Sequence, residues 1–148
     1  MSERDRVSGD TLPGPSAAPI RVRCVGPDGD RLGRVADRLA SECSRVSART
    51  AVGVDGIAEA LETDPVDCVV SDHRPPEFDG LSVLERVRRI DESRPVVVFT
   101  AHGDETTASA AIAGGVSGYV SETAETDEFA VLSDRIETAV DRYREEIR

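Results

Sequence analysis

Apolar and polar positions fall into alternating short runs and helical stripes along this chain. Ile20–Val25 is a brief β-branched run closed by Gly26-Pro27 and reads as a strand. Leu32, Val35, Ala36 and Leu39 then recur at the spacing of one helix face, with Asp28 or Asp30 as the N-cap. Arg45–Val52 is a less regular strand, followed by a short helix in which Ile57, Ala60 and Leu61 share a face. Val66–Val70 is the next apolar run, ending at Ser71-Asp72, and Leu81, Leu84, Val87 and Ile90 give another helical stripe. Pro95–Phe99 is unbroken, β-branched and too short for a helix, so it predicts a strand buried on both faces. Ala108, Ala111, Ile112 and Gly115 predict a helix with a small-residue face, and Val116–Val120 a last strand. The longest stripe, Phe129, Leu132, Ile136, Val140, Tyr143 and Ile147, closes the sequence.

Strands and helices therefore alternate without a repeat or a break in composition. That order implies a parallel sheet covered by helices on both faces, a doubly wound α/β fold over residues 20–148. Residues 1–19 are polar, rich in Ser, Gly and Pro, and read as a disordered tail. In such sheets chemistry gathers at the carboxyl ends of the strands. The residues to inspect follow Val25, Val70, Phe99 and Val120.

Charge narrows the chemistry at those ends. The net charge is −11, and all 18 basic residues are arginine. A chain without lysine has no Schiff-base amine, no phosphate-loop lysine and no lysine base. A sequence pI near 4.6 gives no positive surface for nucleic acid. Cys24, Cys43 and Cys68 form no metal-binding spacing and read as small buried hydrophobes in a reducing compartment. No apolar stretch reaches the roughly 18 residues of a membrane span, so no membrane partner is expected and the location is cytoplasmic.

At the strand ends stand Asp72, followed by Pro76, Asp79 and Gly80; Thr100-Ala101; and Tyr119. They make a small anionic site. No nucleophile elbow, Gly-rich phosphate loop or His-Glu-x-x-His helix is present. His73 and His102 read as solvated loop residues, because no third metal ligand stands nearby.

The pattern D-x-x-x-P-x-x-D-G from Asp72 to Gly80, Thr100-Ala101, and Gly115-Val116 followed by Tyr119 together resemble the receiver domain of two-component response regulators. The resemblance covers roughly residues 20–146, and the C-terminal helix is similar to that of haloarchaeal receivers. It implies a flavodoxin-like (βα)5 fold with strand order 2-1-3-4-5. It also implies that Asp72 accepts a phosphoryl group from a histidine kinase, with Thr100 and Tyr119 as switch residues. Mg2+ would be held by Asp72, Asp28 and the backbone carbonyl of Arg74, while Pro76, Asp79 and Gly80 shape the loop. A haloacid-dehalogenase-type phosphatase would want a carboxylate where Arg74 stands, and a lysine, so no enzyme is expected beyond turnover of the domain's own aspartyl phosphate.

The sequence departs from the receiver pattern at three positions. Two acids should follow the first strand, and Gly26 and Pro27 stand there instead. A lysine should stand after the fifth strand, and Glu122 replaces it. Magnesium is usually held by one or two carboxylates, so the expected site is weak or absent. Loss of the lysine removes a charge-assisted contact worth about 1.5–3 kcal/mol, and Glu122 adds repulsion against a phosphoryl group. Two functions remain open: a phosphoacceptor switch, and a phosphorylation-independent pseudo-receiver that docks a protein partner through its fourth helix, fifth strand and fifth helix. The partner is a histidine kinase or sensor protein, with output through a partner chain or a further C-terminal domain. The nearly heptad spacing of the last stripe places Tyr143 and Ile147 in a candidate homodimer seam.

Surplus acid, arginine in place of lysine and only 3% aromatic residues suit a very salty cytoplasm. The purified domain is therefore expected to gain stability as KCl rises toward molar concentration in circular-dichroism melts. Full folding and solubility at low ionic strength, with no gain on adding salt, would contradict that expectation.

Overall fold

A computed structural model describes residues 18–101, 103–122 and 127–146. The elements are β1 (Ile20–Gly26), α1 (Gly29–Glu42), β2 (Val46–Val52), α2 (Gly53–Thr63), β3 (Cys68–His73), α3 (Gly80–Ile90), β4 (Val96–Thr100), α4 (Glu105–Ala113), β5 (Gly118–Ser121) and α5 (Glu128–Glu146). All four strand pairings are parallel and the order is β2-β1-β3-β4-β5, the flavodoxin-like winding expected.

The period-two pleat of the central strands sorts side chains to two cores. Ile20, Val22 and Cys24 of β1, Val70 of β3, and Val97 and Phe99 of β4 pack with Leu32 and Leu39 of α1 and Leu132, Ile136 and Val140 of α5. Val25, Val69 and Val96 point the other way, to Ile57 of α2 and Val83, Leu84 and Val87 of α3. The pleat also aims the polar ends. Asp72 follows Cys68 and Val70 to the α1/α5 side, and His73 follows Val69 to the α2/α3 side. Phe99 meets Phe129 edge to face at 5.6 Å, and the Arg38 guanidinium lies 4.4 Å over the Phe129 ring.

Several expectations are corrected. β3 begins two residues later than the apolar run and continues through Ser71, Asp72 and His73, all buried. Their backbone is taken up by β4, with Asp72 opposite Phe99 and His73 opposite Thr100. His73 is thus a strand residue, 5% exposed, not a solvated loop residue; His102 lies outside the described residues. On α4 only Ala111 is buried, and Ile112 is 71% exposed, so the small-residue face is covered at one position only. On α3 the inward face is Gly80, Val83, Leu84 and Val87, and Ile90 in the last turn is 44% exposed.

Phe129, Leu132, Ile136 and Val140 are buried as the stripe requires; Tyr143 is half-buried, and Ile147 lies outside the described residues. Residues 1–17 of the expected tail also lie outside them. Ala18 and Pro19 do not behave as tail. Arg45 donates to the Ala18 carbonyl (3.0 Å), and Arg144 of α5 donates to the Pro19 carbonyl (2.6 Å). Arg45 also bonds Glu137 and Asp141, so arginine ties both ends of the domain together. All three cysteines are free and buried, and burial pushes the Cys24 thiol up to about 12. Among the described residues, no helix is long and apolar enough to cross a membrane.

Candidate functional site

Three helices that open around the carboxyl edge of the sheet start on an aspartate. Asp28 accepts from the amides of Asp30 (3.0 Å) and Arg31 (3.4 Å) and caps α1. Asp79 accepts from Leu81 (2.9 Å) to cap α3, and Asp104 from Thr107 (2.7 Å) to cap α4. Each cap satisfies amides that a helix start leaves without partners. The cap also fixes where the first turn of α1 begins, and that turn carries Arg31.

Arg31 reaches across to Asp72. Its Nε lies 3.4 Å from Asp72 Oδ2, and its Nη2 lies 3.5 Å from Oδ1 and donates to Glu122 Oε1 at 2.5 Å. Glu122 arrives there because its amide extends the β4–β5 ladder, donating to the Thr100 carbonyl at 2.7 Å. Its other oxygen lies 3.8 Å from Arg74 Nη1. Two carboxylates and two guanidinium groups thus form a network with no formal net charge.

Asp72 is only 3% exposed, and burial raises its carboxyl above the ordinary value although Arg31 pulls the other way. Burial works against the Arg31 cation as well. The Glu122 hydrogen bond and the Asp72 charge outweigh it, so the guanidinium holds its proton more tightly than usual.

Two glycines make room for this arrangement. A Cβ on Gly26 would stand 2.5 Å from Asp72 Oδ2, so the carboxylate occupies the space in which a side chain at 26 would begin. A Cβ on Gly80 would stand 2.6 Å from the Asp72 carbonyl oxygen, so α3 approaches the end of β3 only without a side chain there. The Gly80 amide donates to His73 Nδ1 (3.0 Å), which fixes that nitrogen as an acceptor.

Thr100 is fully buried, and its hydroxyl donates to the His73 carbonyl at 2.9 Å. Tyr119 is half-buried; its hydroxyl oxygen would lie 3.0 Å from a Cβ on Gly103, against the loop that opens α4. Burial raises that phenol's pKa. Pro76 follows a cis peptide bond inside a turn closed by Arg74 and Phe78. In that turn the Arg74 carbonyl accepts from the amides of Glu77 (2.9 Å) and Phe78 (3.0 Å).

The chain matches the response regulator receiver domain over residues 33–132. It belongs to that family. The receiver is 31% identical over 107 residues to the chemotaxis protein CheY of Treponema pallidum, covering 72% of this chain and 74% of CheY. It is 30% identical over 138 residues to the transcriptional regulatory protein GlrR of Escherichia coli, and 39% identical over 88 residues to the bacterioopsin transcriptional activator of Halobacterium salinarum. It covers only 30% and 13% of those two proteins. Its fold is similar to a receiver domain from Clostridium thermocellum, with a TM-score of 0.71 at 21% identity, over 87% of this chain and 99% of that one.

The residues at this receiver's strand ends do not fit a magnesium ion. Gly26 offers no ligand, the Asp28 carboxylate is engaged in its helix cap, and the Arg74 carbonyl already accepts two amides. The guanidinium of Arg31 stands on Asp72 itself. Among the described residues no cluster of three or more acidic, His or Cys side chains is set to hold a metal. The structure brings together Asp72, Gly26 and Glu122 around Arg31, a residue the sequence reading did not single out. Its signal was an arginine three residues after a capping aspartate, in a chain whose expected lysine had become an acid.

The raised Asp72 pKa has a signed consequence. The folded chain holds this proton through a pH window above the ordinary value of 3.8 in which the unfolded chain has released it. Stability from this group is therefore present below that window and lost as pH rises through it. Thermal melts of wild type and Asp72→Asn should accordingly diverge with rising pH, the variant gaining relative to wild type. A variant that instead loses ground as pH rises would contradict the assignment.

Proposed function

We propose that this receiver is a phosphorylation-independent interaction module of a two-component system. The observation that carries the reading is the buried Asp72 carboxylate, capped by Arg31 with Glu122 on the far side of the same guanidinium. A phosphoryl acceptor must present a carboxylate oxygen to an incoming phosphorus atom, and something must neutralise the charge gathering on the equatorial oxygens. Here both Asp72 oxygens face Arg31, and the acids that would recruit a metal are replaced by Gly26 and Pro27. Glu122 at the lysine position adds a negative charge at the same step.

Signalling then runs through contact with a histidine kinase, a sensor protein or another partner chain. The α4-β5-α5 face is the docking surface of this reading, with Ile112 exposed on α4. A homodimer through the end of α5, a salty cytoplasm as the working environment, and the absence of a nucleic-acid role belong to the same proposal.

A second reading keeps Asp72 as the acceptor of a phosphoryl group from a histidine kinase. It is favoured by Asp72, Thr100 and Tyr119 standing together at the strand ends. In that reading Thr100 would leave the His73 carbonyl to hold a phosphoryl oxygen.

Intact-mass measurement after incubation with acetyl phosphate in molar salt, with and without Mg2+, separates the two. The proposal expects no phosphoryl adduct on the wild type. An adduct on the wild type that is absent from Asp72→Asn would overturn it. Appearance of an adduct only in Glu122→Lys would identify the lost cation as the cause.

A further inference from the structure

We infer that Arg31 is the resident cation of the Asp72 pocket: its guanidinium stands where a divalent ion would have to stand, and it excludes one. The inference rests on the closed pocket described above and assigns what keeps it closed.

The geometry is that of a cation site. Nη2 is shared between one oxygen of Asp72, from β3, and one of Glu122, which follows β5, while Nε covers the second Asp72 oxygen. A point between two carboxylates, one in β3 and one just after β5, is where electrostatics places positive charge. Arginine suits the place because its planar fork serves several oxygens at once and sheds water more readily than a compact ion. Magnesium demands near-octahedral geometry and dehydrates reluctantly, so it is poorly matched to a pocket already lined by two guanidinium groups.

Three positions act as one unit. Gly26 leaves the space into which Asp72 leans, Asp28 fixes the helix turn from which Arg31 reaches, and Glu122 holds the far side of the guanidinium. Glu122 also faces Arg74, so with Arg31 in place the four charges cancel. Without Arg31, the Asp72 and Glu122 carboxylates are left with the Arg74 guanidinium, 3.8 Å from Glu122, and this excess negative charge is what a largely hydrated divalent cation would offset, although Gly26, the capping Asp28 and the Arg74 carbonyl add no ligand. Mg2+ is therefore expected to have no place in the wild type and to gain one when Arg31 is removed.

The test uses thermal melts of the full chain in molar KCl, with chelator or with millimolar Mg2+ or Mn2+, backed by electron paramagnetic resonance of Mn2+. Wild type should melt at the same temperature in all three and leave the Mn2+ signal free. Arg31→Gln should melt about 5 °C lower in chelator, the scale set by loss of one charged partner, and recover most of that on adding metal. Glu122→Gln, which keeps the guanidinium, should stay indifferent to metal. Binding of Mn2+ by the wild type overturns the inference whatever the variants do. Failure of Arg31→Gln to respond to metal, whether it folds in chelator or not, overturns it equally. A phosphoryl adduct on the wild type would instead overturn the proposed function and leave the cation assignment standing.

Discussion

A carboxylate removed from water must be neutralised from within the fold, and the Asp72 pocket is arranged around that requirement. The pleat of β3 sends Asp72 to the α1/α5 side of the sheet, where it is almost without solvent. Burial there disfavours the charged form, and Arg31 offsets part of that penalty. Removing one partner of a buried pair typically costs about 3–5 kcal/mol. Solvent reaching Arg31, whose side chain is 21% exposed, lowers that figure here. The pair is a local constraint more than a source of net stability: it fixes which charges the neighbouring elements present.

That constraint links elements far apart in sequence. Asp28 sets the start of α1, Arg31 spans from α1 to β3, and Glu122 ties the end of β5 to both. Gly26 and Gly80 permit the close approach of β1 and α3 to the two sides of Asp72. On the opposite face the His73 imidazole receives the first amide of α3, while its carbonyl receives the Thr100 hydroxyl, so β3, α3 and β4 are joined one residue beyond Asp72. Changes at Gly26 or Arg31 therefore act on the carboxylate directly, and changes at Asp28 or Glu122 act on it through Arg31.

Much of this was readable in the chain. The β-branched runs and the 3–4 spacing of the stripes located the five strands and five helices, because burial on two sheet faces imposes those periods. Thr100 and Tyr119 were legible at the strand ends for the same reason, and Asp72 as the residue closing the third apolar run, whereas Glu122 was found only through the resemblance to receivers. The polar end of β3 was not: Ser71, Asp72 and His73 look like loop, and only pairing with β4 shows them to be strand. Ile112 was misassigned because a stripe shows which residues share a face and not whether that face is covered. Arg31 was missed because a single arginine on a polar helix face has no period. Its role follows from which strand end the first turn of α1 overhangs.

Composition then takes on a local meaning. In a chain whose basic residues are all arginine, the cation beside Asp72 comes from α1, as a fork that serves Asp72 and Glu122 at once. The most direct test is a double-mutant cycle on Arg31→Met and Asp72→Asn, read by denaturant or thermal unfolding in molar salt. The account predicts a favourable coupling of about 1 kcal/mol or more between the two side chains. Additive effects, with no coupling between Arg31 and Asp72, would contradict it.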